Sequence, residues 1–124
     1  MRLITVSLAT LCAAAFAPLA TAAPAHVTDV AFIAANRCLG LESSKQLGSP
    51  DAAAALQRFV NAQSWGREGA VYDRADEARD DAIAEAGRGG TDHRARLVAE
   101  RDGVCQSFLS TTSAAAAAPA RSLQ

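Results

Sequence analysis

Apolar residues recur at intervals of three and four along most of this chain, which is the spacing of one face of an α-helix. Around Cys38 this pattern predicts a first helix over residues 28–42, with Thr28 as its N-cap and Asp29 near its positive end. The side chains expected to face the core are those of Val30, Ile33, Ala34, Cys38 and Leu41.

The second helix has the clearest start, because Ser49 can cap it and Pro50 suits the first helical position. It is expected to stop near Trp65-Gly66, and its predicted core stripe is Ala52, Leu56, Phe59, Val60 and Gln63. A third helix is predicted over residues 69–86, with a thin, alanine-rich stripe: Tyr72, Ala75, Arg79, Ala82 or Ile83, and Ala86.

Two glycines decide how the second and third helices are connected. Gly66 and Gly69 each disfavour helix by about 1 kcal/mol relative to alanine, which favours a turn between the two helices. A kink in one long helix, giving three helices in total, is the alternative.

The run Gly87-Arg88-Gly89-Gly90 predicts the next break, and Thr91 or Asp92 can cap a fourth helix ending near Phe108 or Leu109. Gly103 weakens this helix locally. No segment shows the alternation of a half-buried strand. The predicted fold is therefore all-α, a small four-helix up-down bundle.

Cys38 and Cys105 both lie on apolar stripes, the second beside Phe108 and Leu109. A disulfide between them requires the first and last helices to touch, as up-down connectivity would allow. Two buried free cysteines are the alternative.

The first 22 residues have the pattern of a secretory signal peptide. Arg2 precedes an apolar run, and Ala20-Thr21-Ala22 offers a small-x-small cleavage pattern. We expect cleavage after Ala22 rather than retention as a membrane anchor. Cleavage would remove Cys12 and leave two cysteines. The destination is then the periplasm or the exterior of a cell, where disulfides persist. The arginine- and alanine-rich composition, with Lys45 as the only lysine, favours a bacterial source.

The mature chain divides into a helical domain over residues 23–110 and an alanine-rich tail over residues 111–124. The tail combines a Thr/Ser cluster, five consecutive alanines and Pro119, so we expect disorder or a frayed helix end.

Charge and motifs narrow the function. The whole chain has 12 basic and 13 acidic residues, a net charge of −1 that argues against a nucleic-acid partner. No catalytic constellation, haem attachment sequence, phosphate loop or zinc spacing occurs, so we expect neither an enzyme nor a cofactor.

Two groups of residues are candidate sites. Trp65, Arg67 and Tyr72 cluster around the predicted turn and could contact a partner or ligand, since these residue types dominate interfaces. The alternative is that the two rings close the end of the bundle, which we favour.

The second group is an acidic series on the third helix, at residues 73–85. Asp73, Asp76, Glu77 and Asp80 share one helix face and are weak candidates for a divalent metal, because a straight helix does not converge six to eight oxygens. The alternative is a solvated face, partly neutralised by five arginines: Arg74, Arg79, Arg94, Arg96 and Arg101.

The leading functional hypothesis is a non-enzymatic interaction or structural module of the cell envelope with an unknown protein partner. A small-ligand or metal-binding module that uses residues 73–85 is the alternative. A structural stress protein with a pH response is the third hypothesis.

Overall fold

A computed structural model describes residues 25–117, and every regular element in this range is helical. The predicted signal peptide lies outside these residues. The five α-helices are α1 (Asp29–Ser43), α2 (Pro50–Gln63), α3 (Gly69–Gly87), α4 (Thr91–Glu100) and α5 (Gln106–Ala117), and a π-helical turn, Arg101–Cys105, joins the last two. The all-α prediction is confirmed for this part of the chain.

The helix starts follow the local signals in the sequence. The Thr28 hydroxyl accepts a hydrogen bond from the Ala31 amide at 3.2 Å, and the N-cap side chain of α2 does the same for Ala52 at 3.5 Å. Between α2 and α3 the backbone turns at Gly66, whose φ of 72° is in the left-handed region. Separate second and third helices are therefore confirmed, and the single kinked helix is not found.

Helix α1 is central, because it packs against α2, α3 and the π-turn. A helix with neighbours on several sides buries more than one stripe. The predicted core face was accordingly wrong in part: Val30 is 78% exposed. Residues outside the predicted stripe are buried instead, among them Phe32, Ala35 and Leu39.

Helices α1 and α3 approach closely because small residues meet at their interface. A Cβ atom on Gly40 would lie 2.3 Å from the Arg79 carbonyl oxygen and 2.9 Å from the Ala82 Cβ atom. The alanine stripe of α3 is buried at Ala75, Ala82 and Ala86. Ile83, an alternative member of that stripe, is 41% exposed.

The predicted fourth helix is one continuous element in the sequence but not in the structure. In a regular helix at about 100° per residue, Cys105 would lie about 80° around the axis from Leu97. A π-turn accommodates one extra residue, so the side chains after it are rotated back around the helix axis by about 100°. Leu97 and Cys105 are both buried as a result, at 4% and 0% exposure.

Helix α5 continues past residue 110, where the tail was expected to begin, to Ala117. The side chains of the Thr/Ser cluster donate hydrogen bonds to carbonyls one turn earlier, such as Thr111 to Ser107 at 2.9 Å and Ser113 to Leu109 at 3.0 Å. Residues 111–117 are thus helical, while residues 118–124 lie outside the described part of the chain. Within residues 25–117, no helix has the length and apolar character needed to cross a membrane.

Candidate functional site

The two cysteines lie in the core between α1 and the π-turn. The Sγ atoms of Cys38 and Cys105 are 2.05 Å apart and their Cα atoms 5.4 Å apart, so the predicted pair is at disulfide distance. Their exposures are 1% and 0%. The pair therefore joins distant parts of the chain and presents no accessible sulfur to a substrate.

Arg67, the cation of the predicted patch, lies inside the end of the bundle. Its side chain is 2% exposed, and its guanidinium carbon lies 4.3 Å from the centre of the Phe32 ring. It donates hydrogen bonds to the Gln63 carbonyl at 2.8 Å and the Val27 carbonyl at 2.7 Å, and it forms an ion pair with Asp29. Arg67 thus fastens the chain before α1 to the turn after α2.

Tyr72 also stabilises this turn. Its hydroxyl donates a hydrogen bond to the Ser64 carbonyl, and its ring meets Phe32 edge-on at 6.0 Å. Trp65 differs, because it is 69% exposed and contacts the His26 ring at a centroid distance of 4.7 Å. The structure therefore divides the predicted patch into a buried brace, Arg67, a partly exposed brace, Tyr72, and a largely exposed aromatic side chain, Trp65.

Apart from Glu85, the acidic residues of α3 are exposed. Arg79 bridges two of them, at 3.2 Å to Asp76 and 3.7 Å to Asp80. Asp73 and Glu77 are exposed on the same helix. Among the described residues, no three side chains of His, Cys, Asp or Glu are grouped so that they could hold a metal ion.

The arginines of the last helical segment were predicted to neutralise the acidic face of α3, but two of them bind elsewhere. Arg94 donates to the Gln46 carbonyl and Arg101 to the Leu47 carbonyl, each at 2.7 Å. These carbonyls belong to the loop between α1 and α2. The prediction of neutralisation across the hairpin was wrong for these two residues, because they donate to carbonyls of this loop instead.

An ion-pair cluster that the sequence reasoning missed links α1, α3 and α4. Arg37 donates to Glu100 at 2.6 Å and to Glu85 at 2.8 Å. The hydrogen bond from Arg37 lowers the pKa of Glu85 below its ordinary value, although partial burial acts in the opposite direction. The only sequence signal was a charged residue, Arg37, within the apolar stretch of α1.

This cluster forms the floor of a cleft of about 410 Å³ between α3 and α4. We call it the arginine cleft, and its lining comprises Arg37, Glu85, Arg88, His93, Arg96, Leu97 and Glu100. His93 Nε2 lies 3.0 Å from the Glu85 carbonyl oxygen. Because a carbonyl can only accept a hydrogen bond, Nε2 carries a hydrogen, which in the neutral ring makes Nδ1 the acceptor.

Comparisons with protein-family models, with curated proteins and with solved structures give no match. Function is therefore inferred from the geometry of these sites.

Proposed function

We propose that this chain is a small non-enzymatic protein-interaction module of a bacterial cell envelope, exported and cleaved after Ala22. In this proposal the mature domain is an up-down helical bundle with a disulfide between Cys38 and Cys105, acting in the periplasm or outside the cell. The burial of both sulfurs at bonding distance is consistent with an oxidising compartment.

The observation on which the interaction proposal rests is the exposed Trp65 on a braced turn. A tryptophan that is 69% exposed leaves a large apolar area in water, and such side chains are frequent anchors of protein interfaces. Arg67 and Tyr72 hold the backbone around it through hydrogen bonds to carbonyls. A fixed turn loses little conformational entropy when a partner covers it.

The experiment places a photo-crosslinking amino acid at position 65 and, as a control, at position 104 in cells that express the protein. Val104 is also exposed, at 56%, but lies in the π-turn. We expect a discrete protein adduct only from position 65. The crosslinked protein is then purified and its affinity for the native chain is measured.

Two substitutions test whether Trp65 is the anchor. Trp65→Ala should weaken binding at least about tenfold, which is 1.4 kcal/mol, and leave the melting temperature nearly unchanged. Val104→Ala should leave both quantities unchanged. Equal adducts from both positions, or a large loss of stability in Trp65→Ala, would contradict the proposal.

Tyr72→Phe separates interface from scaffold. It removes only the hydroxyl that bonds to the Ser64 carbonyl, so we expect lower stability with unchanged affinity. If Tyr72→Phe lost affinity without losing stability, the contact with the partner would be assigned to Tyr72 rather than to Trp65.

A further inference from the structure

We propose that the arginine cleft binds a small, multiply charged oxyanion of the phosphate type through Arg88 and Arg96. This site lies between α3 and α4 and involves none of the residues of the turn at Trp65, so it is independent of the proposed protein interface.

The charges of the cleft favour an anion. Arg37 is shared between Glu85 and Glu100 by hydrogen bonds, so these three groups leave one negative charge at the floor. Arg88 and Arg96 add two positive charges at the lining. The cleft as a whole is therefore positive by one charge, although the chain is net negative.

Arg88 and Arg96 are available in a way that other arginines of this region are not. Arg94 and Arg101 already donate to loop carbonyls. Within residues 25–117, neither Arg88 nor Arg96 forms an ion pair with a carboxylate. Both residues are exposed. An exposed guanidinium group that is not paired with a carboxylate can form two parallel hydrogen bonds to phosphate oxygens.

His93 lies beside one of these arginines. Its Nε2–H donates to the Glu85 carbonyl, which orients the ring, and its Nδ1 faces Arg96 Nη2 at 3.5 Å. This contact is long for a hydrogen bond, so Arg96 can leave it for an oxyanion at small cost. The imidazole ring thus lies next to the guanidinium of Arg96 without neutralising it.

The size of the cleft selects a small occupant. Its volume of about 410 Å³ lies near the lower end of small-molecule sites, which span about 300–1,000 Å³. Since the lining is mostly charged, we expect recognition of the oxyanion itself rather than of a large apolar body. A single acidic side chain of a protein partner is the competing occupant.

The test is a titration of the full chain with inorganic phosphate, followed by two-dimensional NMR at constant ionic strength, with chloride as the reference salt. We expect saturable shifts that are largest at the amides of His93 and Arg96, and displacement of phosphate by sulfate. Arg88→Gln/Arg96→Gln should weaken binding at least about tenfold.

The matched control is Arg58→Gln/Arg74→Gln, which removes the same charge from exposed positions outside the cleft. Its affinity for phosphate should change less than about twofold, because exposed charges at a distance are largely screened. Circular dichroism confirms that both double variants remain folded.

Three results would overturn the proposal. The first is an equal loss of affinity in both double variants, which would indicate general electrostatic attraction. The second is a shift that stays linear over the titration. The third is saturation by a glutamate-containing peptide without any by phosphate, which would assign the cleft to a protein partner.

Discussion

Removing the Cys38–Cys105 bond should cost this protein a large share of its stability. The cysteines are 67 residues apart in sequence, and the chain-entropy model assigns a loop of that length about 4 kcal/mol. In the variant Cys38→Ala/Cys105→Ala, each alanine also omits a buried sulfur, at about 1 kcal/mol. The expected total is about 6 kcal/mol, compared with a free energy of unfolding of about 5–15 kcal/mol for small domains.

Reduction of the unmodified protein separates these two contributions. It cuts the crosslink but keeps both sulfurs in the core, so it should lower the free energy of unfolding by about 4 kcal/mol and leave the reduced form about 2 kcal/mol more stable than the double variant.

Urea denaturation followed by circular dichroism measures both differences. The urea dependence should be steeper for the reduced form, because an unfolded chain without the crosslink exposes more surface. A reduced protein within about 1 kcal/mol of the oxidised one would refute the reasoning. It would mean that the unfolded chain already keeps the two cysteines close together, so that the crosslink removes little entropy from it.

Two further predictions test packing and acid response. Gly40→Ala should destabilise the fold by about 2 kcal/mol, since the added methyl would meet the Arg79 carbonyl oxygen at 2.3 Å, whereas the control Gly69→Ala adds a methyl into open space. Thermal unfolding compares them, and equal stability would show that α1 and α3 can separate freely. Because the pKa of Glu85 is lowered in the folded state by the hydrogen bond from Arg37, the unfolded state takes up its proton first as the pH falls. The free energy of unfolding should therefore decrease as the pH is lowered past about 4.3. This decrease with pH should be less steep in Glu85→Gln than in the exposed control Glu77→Gln. Identical slopes would remove Glu85 as a source of the acid response.

Local features of the sequence were enough to predict where the first three helices begin and end and where the fourth begins, but not that a π-turn interrupts the last helical segment or that this segment continues to Ala117. Helix starts depend on N-caps and on proline, and interruptions depend on glycine, and all of these act within a few residues. The structure bears this out at Thr28, Ser49 and Gly66. The cysteine pair was predictable for a similar reason, because both cysteines lie on apolar stripes of helices that an up-down connection would bring together.

The faces of the helices could not be predicted in the same way. Which side of α1 is buried depends on how many elements surround it, so Phe32 is in the core while Val30 is in water. The π-turn has only Gly103 as a weak local signal, since it aligns Cys105 with a helix distant in sequence.

Sequence patterns alone were sufficient for the first three helices, the start of the fourth and the cysteine pair, because each follows from interactions within a few residues or from a shared apolar stripe. The packing of the helices, by contrast, makes Arg67 an internal brace, leaves Trp65 exposed, and brings Arg37 to Glu85 and Glu100 in the arginine cleft. The sequence does not specify these contacts because a long charged side chain can bind any of several partners. The way α1, α3 and α4 pack determines which partners lie within hydrogen-bond distance.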